Sequence, residues 1–211
     1  ECTVGDATRP VNEEPMKRAL IQTIEQQVLA AQRAGAVTRW RQPLVGVTDA
    51  ADPLFKKLKE VVSPTHALPE DLLPGARSVV AFFLPFAPEV GRGNQAGRLA
   101  SPGWATAYLE TNRLIAEICR AAGQHLQKHG HQAHATPATH NYDAVKMVSD
   151  WSHRHVAVVA GLGTLGVHNL LITERGACGR LGSLITTAEL APDPRPGVEA
   201  CMSKRGETCL R

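Results

Sequence analysis

Aromatic side chains make up only 4% of this 211-residue chain, so aliphatic packing must carry its core. No run of 18 apolar residues occurs, and a membrane-spanning helix is not expected. The residues up to Pro15 are polar and acidic, without the basic and then apolar pattern of a secretory signal. The five cysteines are Cys2, Cys119, Cys178, Cys201 and Cys209. Their odd number and wide spacing argue against a disulfide framework and for a cytoplasmic protein in a reducing compartment. Gly-x-Ser-x-Gly, Walker A and His-Glu-x-x-His patterns are all missing, so hydrolase and nucleotide-triphosphatase chemistry has no support. A net charge of +3 permits a nucleic-acid partner without arguing for one.

What is present suits a globular domain: 43% hydrophobic and 20% charged residues, with length enough for one real core. Residues 1–15 carry no periodic pattern and read as a tail or reading-frame extension ahead of Met16. Apolar residues at helical spacing predict a helix from Pro15 to Ala34, through Leu20, Ile24 and Val28, joined by Ile21 and Leu29. A short extended run follows Trp40. Asp52-Pro53 then opens a helix whose apolar face holds Leu54, Phe55, Leu58, Val61 and Val62. Residues 63–75, with three prolines and His66, read as an ordered loop. Ser78 to Phe86 is apolar on both faces, as at the centre of a sheet, and Pro85 should end its pairing. Residues 87–103 read as a loop, and Trp104 to Lys128 as the longest helix. A strand near 132–138, a helix capped by Asp143 through Val148, a helix from Ser152 to Ala160 and two late strands complete an α+β layout.

The densest signal lies between Trp151 and Leu190. Gly161-Leu-Gly163-Thr-Leu-Gly166 has the spacing of a dinucleotide fingerprint, but helix precedes it and no convincing helix follows, so that reading is set aside. Three glycines in six residues still mark backbone that turns tightly or lets something large approach. His140, His153, His155 and His168, with Asp143 and Asp150, put several proton carriers around this stretch. His125, His129, His131 and His134 suit either a zinc site or a solvated helix end. Cys201 and Cys209 suit either cluster ligands or two free thiols.

Trp151-Ser-His-Arg-His-Val-Ala-Val-Val-Ala-Gly-Leu-Gly-Thr-Leu-Gly, followed by Leu-Leu-Ile-Thr and Gly182-Ser-Leu-Ile-Thr, resembles the epoxyqueuosine reductase family and its short relatives. Arg77-Ser-Val-Val-Ala-Phe-Phe-Leu-Pro-Phe86 resembles the family's early strand, and Glu199-Ala-Cys201 with Gly206-Glu-Thr-Cys209 its entry to a ferredoxin segment. The likeness runs from about residue 35 to Arg211. It implies a nitroreductase-like sheet flanked by helices, with residues 16–195 as a cobalamin-binding domain and 196–211 as the start of a truncated 4Fe–4S segment. It implies a cobalamin- and iron–sulfur-dependent reductase acting on tRNA queuosine or in a related reduction. The partners would be tRNA or a small-molecule substrate, with ferredoxin or flavodoxin as electron donor. Asp150 and His153 would be catalytic. Arg154, Gly161, Gly163, Gly166 and His168 would shape the corrinoid site, and Cys201 and Cys209 would bind the cluster. The family's acidic residue a few positions before the arginine falls near Met147 here, with Asp150 the nearest acid. The alternatives are an iron–sulfur or corrinoid electron carrier without its own turnover, and a flavin or NAD enzyme of nitroreductase type.

Overall fold

The computed structural model describes residues 13–95, 98–137 and 143–201; residues 1–12, His140 and Cys209 lie outside them. In chain order the elements are α1 (Glu13–Arg33), β1 (Leu44–Asp49), α2 (Leu54–Val61), α3 (Pro69–Leu72), β2 (Ser78–Pro85), α4 (Pro88–Arg92), α5 (Pro102–Lys128), β3 (Ala133–Ala135), α6 (His153–Val159), β4 (Thr164–Leu165), β5 (Leu171–Ile172) and β6 (Gly179–Thr186). The main sheet has the order β1-β2-β6-β3 and is antiparallel throughout. β4 and β5 form a separate hairpin.

β2 is buried along its whole length, because helices cover both faces of the sheet. Its alternate side chains feed two cores. Val80, Phe82 and Leu84 meet Leu20, Ile24 and Val28 of α1 and Leu114, Ile115, Ile118 and Leu126 of α5. Val79 and Ala81 meet Phe55 and Leu58 of α2, Trp151, and Val156 and Val159 of α6. The period-two alternation of the strand thus becomes two apolar layers. Gly182 leaves room for its neighbours: a Cβ there would lie 2.3 Å from the Phe82 ring of β2 and 3.0 Å from the Ile115 side chain of α5.

β1 is an edge strand, and its outer side is partly sealed by the chain after β6. The Asp193 carboxylate accepts from the Val47 N–H at 2.9 Å, and the Asp193 N–H donates to the Val47 carbonyl at 2.8 Å. Lys17 of α1 pairs with the same carboxylate at 2.6 Å. A paired edge is protected from adventitious strand addition.

The structure departs from the sequence reading at several points. The proline-rich stretch after Ser63 contains α3, because Pro69 suits a first helical turn and Asp71 reaches back to the Leu68 N–H at 2.8 Å. α4 occupies part of the loop expected over 87–103 for the same reason, with Pro88 at its start. Asp143 caps a turn rather than a helix: its carboxylate accepts from the N–H groups of Val145 and Lys146, and the turn closes by an Asp143–Val148 bridge. Leu29 and Val61, expected inside, are 49% and 63% exposed. β6 begins at Gly179, earlier than the apolar run suggested, because it pairs with β2 as far as Pro85. Among the described residues no helix is long and apolar enough to cross a membrane.

Candidate active site

The best-organised polar cluster surrounds the entry to α6. Trp151 is 2% exposed and stacks between Phe55 and His66, at centroid distances of 6.1 and 5.6 Å. Its indole N–H donates to the Ser183 hydroxyl at 2.9 Å. The same hydroxyl lies 2.9 Å from His153 Nδ1, and His153 Nε2 lies 2.9 Å from the Pro137 carbonyl. A carbonyl only accepts, so Nε2 carries the proton. In the neutral ring Nδ1 then takes the hydroxyl proton of Ser183. Trp151, Ser183, His153 and Pro137 form one directional chain that fixes the tautomer and orientation of His153.

A second set interlocks with the first. His66 is fully buried. Its Nδ1 donates to the Ala67 carbonyl at 2.9 Å, and its Nε2 accepts from the Ser152 N–H at 3.1 Å. Burial lowers its pKa, and the nearby Lys59 adds to this. The Ser152 hydroxyl meets His155 Nδ1 at 2.7 Å. Burial first, then the Arg154 and His66 charges, lower His155 to about 4. Asp150 accepts from the Thr65 hydroxyl at 2.8 Å, and its backbone carbonyl accepts from the Ala67 N–H at 2.8 Å. Asp150, His153 and His155 are therefore brought together, with His66 and Thr65 joining from a loop far away in sequence. The sequence reading placed His66 only in a proline-rich loop; its partners were invisible there.

The glycine stretch follows α6. Gly161 has φ +80, and a Cβ on it would lie 2.6 Å from the Pro194 carbonyl oxygen. A Cβ on Gly163 would lie 2.1 Å from the Ile172 carbonyl oxygen, and one on Gly166 would meet the His168 ring at 2.7 Å. The chain's own atoms thus fill the space a side chain would take. Gly161, Leu162, Gly163 and Thr164 line one wall of an open cleft of about 500 Å³. The opposite wall is the β1 edge, Leu44 to Gly46, and the rim comes from Asp193, Pro196, Val198 and Ala200.

The remaining candidates are not among the residues that line this cleft. His168 is exposed at the β4–β5 hairpin tip and accepts from the Leu170 N–H at 3.1 Å. Arg154 donates to the Asn169 carbonyl in that tip, and its buried Nε has no partner among the described residues. Cys201 is half-buried, and the preceding Ala200 N–H donates to Thr164 at 2.9 Å. Met147 is 75% exposed with φ 55, and a thioether has no proton to give. The rings of His125 and His129 sit 4.6 Å apart at the end of α5. Among the described residues no group of three or more His, Cys, Asp or Glu side chains could hold a metal ion.

Two outcomes follow from this geometry. Ser183→Ala leaves a buried indole N–H and an imidazole nitrogen without partners, and urea unfolding should show a loss of about 2 kcal/mol. An unchanged midpoint would mean that the hydroxyl is replaceable by water. His155 takes up a proton at about 4 in the folded protein and near its ordinary value of 6.5 when unfolded. The unfolded chain therefore binds more protons between those values, and stability should fall as pH drops through that window. Thermal melts of His155→Gln should show a flatter pH dependence; an identical slope would exclude His155 as the source.

No protein-family model and no curated protein matches the chain. Solved structures do. An epoxyqueuosine reductase bound to an epoxyqueuosine-modified tRNA-Tyr stem loop is 22% identical over 87% of this chain and 50% of its own, with TM-score 0.53. The epoxyqueuosine reductase of Bacillus subtilis, solved with its catalytic loop swung out of the active site, gives the same figures: 22%, 87%, 50% and 0.53. A catabolic reductive dehalogenase in complex with 3-bromo-4-hydroxybenzoic acid is 19% identical over 96% of this chain and 24% of its own, with TM-score 0.50. The chain spans about half the length of these epoxyqueuosine reductases and about a quarter of the dehalogenase. Its fold, a helix-flanked antiparallel sheet, is the one it shares with the epoxyqueuosine reductases.

Proposed function

We propose that this chain is the corrinoid-binding part of an oxidoreductase of the epoxyqueuosine-reductase kind. The observation that carries this reading is the fold likeness along 87% of the chain, together with an ordered proton-carrying cluster at the α6 entry. Several features of the cleft support this reading. A corrinoid offers an apolar face and a rim of amides. Leu44, Leu162, Ile172 and Val198 supply apolar surface. Val47 turns its backbone groups outward to Asp193, and strand alternation turns those of Val45 the same way, toward the cleft. The orphaned Arg154 Nε is a further donor for an amide carbonyl or phosphate near the hairpin.

The iron–sulfur part of the reading stands differently. Cys201 is a single thiol among the described residues around the cleft, and Cys209 lies outside them. Further cluster ligands would have to come from outside the described residues.

When bound and reduced, a corrinoid supplies the electrons that draw oxygen or halide from a substrate. Removing an epoxide oxygen as water also consumes two protons. Asp150, held by Thr65, is the proposed proton source. His153 is held through Ser183 and Pro137 with both ring nitrogens engaged, which suits a positioning role. Gly161, Gly163 and Gly166 set the backbone path of the cleft wall, and Arg154 and His168 fix the hairpin tip. A tRNA stem loop is the proposed substrate class, with ferredoxin or flavodoxin as electron source. One observation favours a second reading, corrinoid electron transfer without turnover: Met147 stands where the resemblance places an acid.

The test is anaerobic incubation of cobalamin-loaded protein with an epoxyqueuosine-bearing stem loop and titanium(III) citrate, read by mass spectrometry. The wild type should yield the deoxygenated product. Asp150→Asn should lower the rate about 100-fold or more while retaining cobalamin. Loaded wild-type protein that gives no product would favour the carrier reading, and an active Asp150→Asn would remove Asp150 from the mechanism.

A further inference from the structure

A second cavity system lies on the other side of the sheet, between α5 and β3. Two hollows, of about 440 and about 480 Å³, share Cys119, Arg120 and Ala135 and form one groove. Its floor is apolar, from Ile115, Ala116, Cys119 and Ala135. Two polar atoms stand out in it. The Thr136 hydroxyl belongs to a residue 2% exposed and has no hydrogen-bond partner among the described residues. Asn112 Oδ1, on the facing helix, is likewise buried and without a partner among them. A buried polar atom left unpaired costs about 1–3 kcal/mol, so a partner of complementary chemistry would recover that loss.

The groove carries little net charge. The Arg120 guanidinium is held by Glu117 Oε2 at 2.7 and 3.0 Å and by Gln124 at 3.2 Å. Covalent chemistry is disfavoured, since burial pushes the Cys119 thiol up to about 12 and the thiolate is the reactive form. The volume lies in the range of small-molecule pockets, roughly 300–1,000 Å³.

We propose that the α5–β3 groove binds a small, uncharged, largely apolar ring compound whose hydroxyl or N–H group donates to Asn112 Oδ1 and pairs with the Thr136 hydroxyl. An apolar ring matches the floor, the donor meets an acceptor that has no partner among the described residues, and the lining Arg120 is already held by Glu117 and Gln124. This site is separate from the cleft beside β1 and does not rest on the corrinoid reading. It touches the candidate centre at one place. Pro137 lines the groove and its carbonyl holds His153 Nε2 at 2.9 Å, so an occupant would press on the residue that sets the His153 orientation.

The test uses phenol, which has the donor, and toluene, which lacks it, in backbone amide NMR titrations of the full chain. Phenol should give saturable shifts confined to the neighbourhood of Ile115, Cys119, Ala135 and Thr136. Toluene should bind more weakly, and Asn112→Leu should weaken phenol about 2- to 10-fold, the range of one hydrogen bond. Ala116→Trp, at an exposed position of α5, should fill the groove and abolish the shifts while circular dichroism stays native. Three results would overturn the proposal: no saturable shifts, phenol binding that survives Ala116→Trp, or equal binding of phenol and toluene.

Discussion

The arrangement depends most on one buried hydroxyl. Ser183 sits fully buried in β6, opposite Ala81 of β2, and joins two groups that would otherwise be stranded. It accepts a hydrogen bond from the Trp151 indole N–H and donates one to His153 Nδ1. Trp151 in turn stacks on Phe55 and His66, so α2, the proline-rich loop, α6 and the sheet meet at one polar point inside an apolar layer. Such a network holds its geometry only when every member is satisfied, because the low dielectric that strengthens each bond also raises the penalty for a missing one. The order of the candidate centre therefore depends on the sheet as well as on the loops that supply Thr65, His66 and Pro137.

The glycine stretch has a different physical reason from the one its spacing suggests. Glycine clusters draw attention as places where a ligand meets backbone. Here the nearest atoms to the absent Cβ groups are the Ile172 and Pro194 carbonyls and the His168 ring. The glycines let the chain leave α6, run beneath the hairpin and pass the C-terminal segment at contact distance. That close passage in turn forms one wall of the cleft. Packing and ligand approach are successive consequences here, since the cleft exists because the backbone packs so tightly.

Much of the fold was legible because it follows from periodicity. Most of the α1 face, Leu29 apart, and the doubly buried β2 came from residue patterning, and α1 is followed by Gly35 with φ +89, a conformation glycine takes easily. What escaped was set by tertiary contact or by very short elements. α3 and α4 are single proline-led turns with too few residues to show a period. The extension of β6 back to Gly179 is dictated by its partner strand. Asp143 signals a cap equally well for a turn and for a helix, and only the bridge to Val148 decides between them. In the candidate site, Asp150, His153 and Arg154 were singled out in the sequence by their place before a glycine-rich turn. His66 and Ser183 were not, because their roles come from contacts spanning 86 and 30 positions. The groove under α5 was illegible for the same reason, being made by Asn112 and Thr136 on different elements.

The central claim is that the cleft between the β1 edge and the glycine turn receives a corrinoid. An anaerobic titration of the full-length protein with cob(II)alamin, followed by absorbance and electron paramagnetic resonance, addresses it directly. The account predicts saturable binding with a spectral change to the base-off form, weakened when Arg154 is replaced by alanine. Absence of saturable binding, with the protein folded and any iron–sulfur absorbance intact, would contradict it and leave an electron-transfer role on a shared fold.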